Sequence, residues 1–124
     1  MKKIAAVLVV MVLAGCSGEP DSPSWVKGAQ MDIEQDIRWD TDGTADCKRL
    51  VFSDRWFVMC RSSGKFGGLA YAVTEAANPR GFIAQPATGK AAQAAASFRA
   101  SPVAGDMVRV DVDALRGAFE AAYR

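Results

Sequence analysis

Few residues of this chain are equipped to do chemistry, and the first fact about them is an absence: there is no histidine among the 124 residues. That removes the commonest general base and the commonest zinc ligand together, and with them serine triads, histidine-based zinc hydrolysis and haem ligation by histidine. Two short patterns imitate chemical sites. Asp40-Thr41-Asp42-Gly43 places carboxylates at alternate positions before a glycine, like the middle of a calcium loop. With Gly43 as the sixth loop position, however, the first is Arg38 and the twelfth Arg49, and neither offers an oxygen. The tetrapeptide reads as an Asp-Gly turn. Ser62-Ser63-Gly64-Lys65 has the S-x-x-K spacing of a serine nucleophile and its lysine. That chemistry needs the serine at the start of a helix, and Gly64, Gly67 and Gly68 disfavour one. Nor is it a phosphate loop, because Phe66 follows Gly64-Lys65 where serine or threonine belongs.

Cys47 and Cys60 are more informative. Residues 47–52 and 55–60 are two β-rich runs about Ser53-Asp54. A two-residue turn pairs 52 with 55, so 51 faces 56, 49 faces 58 and 47 faces 60. The cysteines then meet at a non-hydrogen-bonded pair, where Cα atoms lie about 4.5 Å apart, within the range a disulfide accepts. Closing this loop is worth about 3 kcal/mol in the chain-entropy model. Ser-Asp is not the Asn-Gly or Asp-Gly that such turns prefer, so a longer loop with a shifted register is the competing expectation.

The third cysteine, Cys16, sits in Leu13-Ala14-Gly15-Cys16, behind a short apolar run at residues 4–12 and the positive Met1-Lys2-Lys3. This arrangement resembles the signal and lipobox of a bacterial lipoprotein precursor. The resemblance implies that residues 1–15 are removed and that Cys16 becomes the first residue. Its thiol would carry a diacylglycerol and its amino group a further acyl chain such as palmitate. A spanning helix needs roughly 20 apolar residues, and residues 4–15 provide twelve. One acyl chain is a marginal anchor, whereas two or three hold permanently. Ser17, rather than aspartate, resembles an outer-membrane sorting signal. The implied location is the cell envelope, lipid-anchored in the outer membrane and facing the periplasm. There Cys47 and Cys60 would be oxidised, leaving no thiol for catalysis.

Without Lys2 and Lys3, thirteen basic side chains stand against fourteen acidic ones, so nothing points to nucleic acid or to an anionic membrane surface. The charges are nonetheless segregated. Residues 17–46 hold eight acids and two bases, and residues 47–100 hold eight bases and two acids, which predicts that the first segment packs beside the second. A mature chain of 109 residues has room for one core.

The elements that must position these residues fit an α+β class: a small antiparallel sheet of about five to six strands, a C-terminal helix and one disulfide. Residues 16–24 read as the lipidated cysteine and a Pro/Ser/Gly-rich tether, with 25–124 as a single periplasmic domain. Eight extended residues reach about 27 Å. Ser24, Trp25 and Val26 suggest a short turn or helix ended near Gly28. From 31 to 40 every even position is charged and the odd ones are Met31, Ile33, Gln35, Ile37 and Trp39, the period of a half-buried strand. Residues 69–74 and 81–85 read as two further strands about the turn Asn78-Pro79-Arg80-Gly81. Alanine-rich residues 88–100 are a helix or a mobile connection. Residues 107–112 alternate like a strand, and Asp113 is placed to cap a terminal helix with Leu115, Ala118, Phe119 and Ala122 on one face.

Both faces of the hairpin are apolar, so one should pack on the terminal helix and the other needs the alanine-rich segment or another molecule. Arg49, Arg55 and Trp56 accompany the hairpin aromatics, a composition favoured at interaction hot spots, and form the candidate partner surface. No cofactor or metal is expected. The expected function is non-catalytic: an envelope lipoprotein acting through protein contacts, as an accessory or exclusion factor of a secretion, conjugation or outer-membrane assembly. The alternative is an inhibitor or binder of an envelope hydrolase such as lysozyme.

Overall fold

The computed structural model describes residues 19–41, 45–62 and 65–123. In chain order the elements are α1 (Ser24–Thr41), β1 (Asp46–Phe52), β2 (Arg55–Ser62), β3 (Lys65–Glu75), β4 (Phe82–Pro86), α2 (Gly89–Ala95) and α3 (Val112–Ala122). The four strands form one antiparallel sheet in the order β1-β2-β3-β4. The class is α+β, with four strands among the described residues instead of five or six.

The hairpin adopts the expected register: Phe52 pairs with Arg55, Val51 with Trp56 and Cys47 with Cys60. Ser53 and Asp54 both take positive φ, 51° and 62°, which is the backbone of a two-residue type I′ turn built without glycine. Cys47 and Cys60 are bonded and buried. Asn78 closes the β3–β4 turn through its own carbonyl, which accepts from Gly81 N at 3.0 Å, and Gly81 supplies the positive φ of 85°.

Residues 31–40 are not a strand. They belong to the 18-residue helix α1, which runs straight through Gly28. Its buried positions are Val26, Ala29, Gln30, Ile33, Asp36 and Ile37, a helical stripe that becomes visible only when residues 25–30 are read with the rest. Met31 and Trp39, which the strand reading turned inward, are 59% and 66% exposed. The stripe also contains Gln30 and Asp36, polar residues whose burial is compensated by partners far along the chain.

Each sheet face carries its own core. Cys47, Val58, Cys60, Tyr71, Val73, Phe82 and Ala84 pack with Ala29, Ile33 and Ile37 of α1 and Ala91 of α2. Burying side chains such as Ile33 and Ile37 contributes about 1.5–3 kcal/mol each. Phe57, Met59, Ala70 and Ala72 on the opposite face pack with Leu115 and Phe119 of α3. The terminal helix therefore covers one face as expected, and the other is covered by α1 together with the alanine-rich segment. That segment is helical only over α2, whose N-cap Thr88 accepts from Ala91 N. Phe98 then packs on Tyr71 with ring centroids 5.4 Å apart.

Residues 107–111 form no strand either. Val108 N donates to Pro86 O at 2.9 Å, but the cap at Asp111, whose carboxylate accepts from Ala114 N at 3.1 Å, commits the chain to α3. The cap is Asp111; Asp113 lies in the first helical turn.

Both outer edges of the sheet are covered over part of their length. Along β4, Ala84 N donates to Pro102 O at 2.9 Å and Ala84 O accepts from Ala104 N at 2.8 Å, so residues 102–104 run beside it. Along β1 and at the residue before it, four outward backbone groups are met by side chains. Cys47 N donates to Glu34 Oε2 at 2.8 Å, Cys47 O accepts from Gln30 Nε2 at 2.8 Å, and Ala45 O accepts from Arg38 Nε at 3.1 Å. Arg49 O accepts from the Tyr123 hydroxyl.

Candidate functional site

Odd-numbered residues of β1 face α1, so Arg49 projects between strand and helix. Its Nη1 lies 2.6 Å from Glu19 Oε1 and 2.7 Å from Gln30 Oε1, and its Nε donates to Pro20 O at 3.2 Å. Lys48 Nζ reaches the other Glu19 oxygen at 3.4 Å, which also accepts from Gln30 Nε2 at 3.2 Å. Gln30 thus spends its amide on Cys47 O, Glu19 and Arg49, locking α1, β1 and the preceding chain into one network. Glu19 and Pro20, expected to be part of a tether, are held on the β1 edge. Tyr123 closes the network from the other face, under Lys48 at 5.7 Å from the ring centroid. Burial, with the Glu19 charge adding to it, pushes the Tyr123 phenol up to about 12, against the opposing pull of Arg49.

The segregated charges meet as their distribution suggested. Besides Glu19 with Lys48 and Arg49, Asp46 pairs with Arg61 at 3.0 Å and Asp32 with Arg80 at 3.5 Å.

The three residues of the expected partner surface do not share one surface. Arg49 is 8% exposed and held by Glu19, Gln30 and the Pro20 carbonyl. Trp56 shares its face of the sheet, as the register requires, but is half-buried against the α1-side core. Arg55 closes the turn and projects from the other face, with Nη2 3.4 Å from Gln85 Oε1. Cys16 lies outside the described residues, as do Asp42, Gly43, Ser63 and Gly64 of the two imitation motifs. Among the described residues no cluster of three or more Cys, Asp or Glu side chains is arranged to hold a metal.

A second polar centre was not anticipated from the sequence. Asp36, 5% exposed, accepts from three successive backbone amides: Arg99 N at 2.9 Å, Ala100 N at 3.1 Å and Ser101 N at 2.9 Å. This fastens the segment after α2 to α1 and brings the Arg99 guanidinium over the Trp39 ring, 4.4 Å from its centroid. Beside it an open groove of about 370 Å³ runs between Asn78, Pro79 and Arg80 and the stretch containing Arg99, Ser101 and Pro102. Burial raises the Asp32 carboxyl above its ordinary value, with Arg80 opposing and Asp36 reinforcing the shift. The signal available in the sequence was the combination of an aspartate on the inward stripe of α1 and an exposed tryptophan one turn away, but both depended on recognising the helix.

No protein-family model, curated protein or solved structure matches this chain.

Proposed function

We propose that the protein is a membrane-anchored, non-catalytic envelope lipoprotein that works through protein contacts as an accessory or exclusion factor of an envelope assembly. The observation that carries this reading is Leu13-Ala14-Gly15-Cys16 behind a short apolar run and two lysines. Lipid on Cys16, with Ser17 following it, assigns the protein to the outer membrane, facing the periplasm. A domain stapled by the Cys47–Cys60 bond suits that oxidising compartment. Its partner-binding residues are taken to be the exposed Trp39 with Arg99 above it, and the half-buried Arg55 beside the hairpin turn. Arg49 is withdrawn from that role because it is buried.

Growth with a clickable fatty-acid analogue tests the anchor: the wild-type protein should be labelled and sediment with outer membranes, and Cys16→Ser should lose both properties. An unlabelled wild-type protein would overturn the reading. Partner capture from detergent-solubilised envelope should be weakened by Trp39→Ala with Arg99→Ala, while the fold, judged by circular dichroism, is retained.

A further inference from the structure

We infer that Glu19 is a strap that fixes how the domain sits on its membrane, turning the β1 edge towards the bilayer. The inference deepens the lipid-anchor reading and rests on it. A segment of the composition found at residues 17–24 would let the domain tumble at the end of a leash about 27 Å long. The leash is far shorter, because the chain is already tied down at Glu19, three residues after Cys16. Full extension over three residues gives about 11 Å.

The tie has several strands. Arg49 and Lys48 of β1 hold one Glu19 oxygen each, at 2.6 and 3.4 Å, and Gln30 of α1 donates to the second of these oxygens. Arg49 Nε holds the next carbonyl, Pro20 O. The Glu19 and Arg49 side chains are only 26% and 10% exposed, so the pair is partly withdrawn from solvent screening. Arg49 cannot follow Glu19 outward without leaving Gln30 behind.

A lipid on Cys16 would therefore place headgroups within about 11 Å of Glu19, beside β1. The opposite outer strand is three strand spacings away, about 14 Å. Residues 102–104 run along that far strand, and the groove bordered by Arg80 and Arg99 lies beside them. This side would face away from the bilayer, open to a periplasmic partner.

The test uses the full lipidated protein in vesicles of phosphatidylethanolamine and phosphatidylglycerol, doped with a lipid bearing a short photo-crosslinker on its headgroup. Cross-linked peptides are mapped by mass spectrometry. Cross-links should concentrate on residues 46–49 and on the end of α3 near Tyr123, and be scarce at 78–81 and 99–104. Glu19→Ala should erase that bias. An insertion of Gly-Ser repeats between Ser17 and Gly18 should erase it too, while leaving the Glu19 contacts and the fold intact, so the outcome does not depend on whether Glu19→Ala is fully folded. Lipidated wild-type protein with cross-links spread evenly, or a bias that survives the insertion, would overturn the strap. Wild-type protein that carries no acyl mass would instead overturn the anchor reading beneath it.

Discussion

Replacing Asp36 with alanine should be among the most damaging single changes in the domain, although the residue is acidic and lies on a helix whose charges look like a solvated face. The side chain receives three backbone amides, from Arg99, Ala100 and Ser101, at 2.9 to 3.1 Å. A hydrogen bond to a charged group contributes about 1.5–3 kcal/mol, and a buried donor left without one costs about 1–3 kcal/mol. Arg99 is exposed and Ala100 half-buried, so water can replace part of what they lose; Ser101 is buried and cannot be reached so easily. Relief of the carboxylate's own desolvation offsets some of the loss. The net cost works out at about 3 kcal/mol, a large fraction of the roughly 5–15 kcal/mol that holds a domain of this size together. With a urea slope of about 1–2 kcal/mol/M, the midpoint should fall by about 2 M. Asp36→Asn keeps one acceptor oxygen but turns an NH2 donor towards a backbone donor, so it should land between wild type and alanine. The assay is equilibrium urea denaturation of residues 17–124 with the disulfide intact. Amide exchange at residues 99–101 should accelerate well before global unfolding. If Asp36→Ala stays within about 0.5 kcal/mol of wild type, the range of an ordinary surface change, Asp36 does not fasten that segment.

Arg49→Ala should cost about 1–2 kcal/mol, less than the loss of one partner from a fully buried pair because Glu19 can rehydrate, and thermal denaturation would expose the error if the change were neutral. Ser53→Asn with Asp54→Gly places residues tolerant of positive φ in the hairpin turn and should stabilise the domain by about 1–2 kcal/mol in urea titrations, without moving the Cys47–Cys60 bond. Tyr123 gives an alkaline signature. Its folded pKa, about 12, exceeds the ordinary value of 10.0, so folding favours the neutral phenol. Its contribution is complete below pH 10 and is lost as the pH rises through about 12. Tyr123→Phe should flatten the decline in stability over that window, and an unchanged slope would count against the burial of the hydroxyl.

The hairpin was legible because its information is local: the turn residues and two strands lie within seventeen residues, and one register opposes Cys47 to Cys60. The β3–β4 turn was readable for the same reason, since Asn78-Pro79-Arg80-Gly81 carries its own conformational preferences. Helix α1 was not. Charges at 32, 34, 36, 38 and 40 imitate a strand, and the apolar helical stripe needs Val26 and Ala29 to be seen. Two members of the buried stripe are polar, and their partners lie 11 to 65 residues away: Gln30 with Glu19, Cys47 and Arg49, and Asp36 with residues 99–101. The role of Arg49 was hidden by distance too. Its charge partner is Glu19, thirty residues upstream in a stretch whose composition signals a loose linker. The alternation at 107–112 reflects real burial of Val108, but one backbone bond to Pro86 does not make a ladder.

The partial covering of both sheet edges narrows the vocabulary in which this domain can be addressed. A strand at the rim of a sheet is an invitation to any extended peptide, including another copy of itself. Here Gln30, Glu34, Arg38 and Tyr123 answer for the rim from Ala45 to Arg49, and residues 102–104 answer for it at β4. An outsider's backbone would have to evict side chains already hydrogen-bonded at about 2.8 Å before it could add a strand. On the proposed reading, recognition would then lean on side chains, with selectivity set by shape and charge at exposed positions such as Trp39 and Arg99. On the proposed anchoring, the same covering would lower the tendency of neighbouring copies on one surface to template one another through their sheet edges.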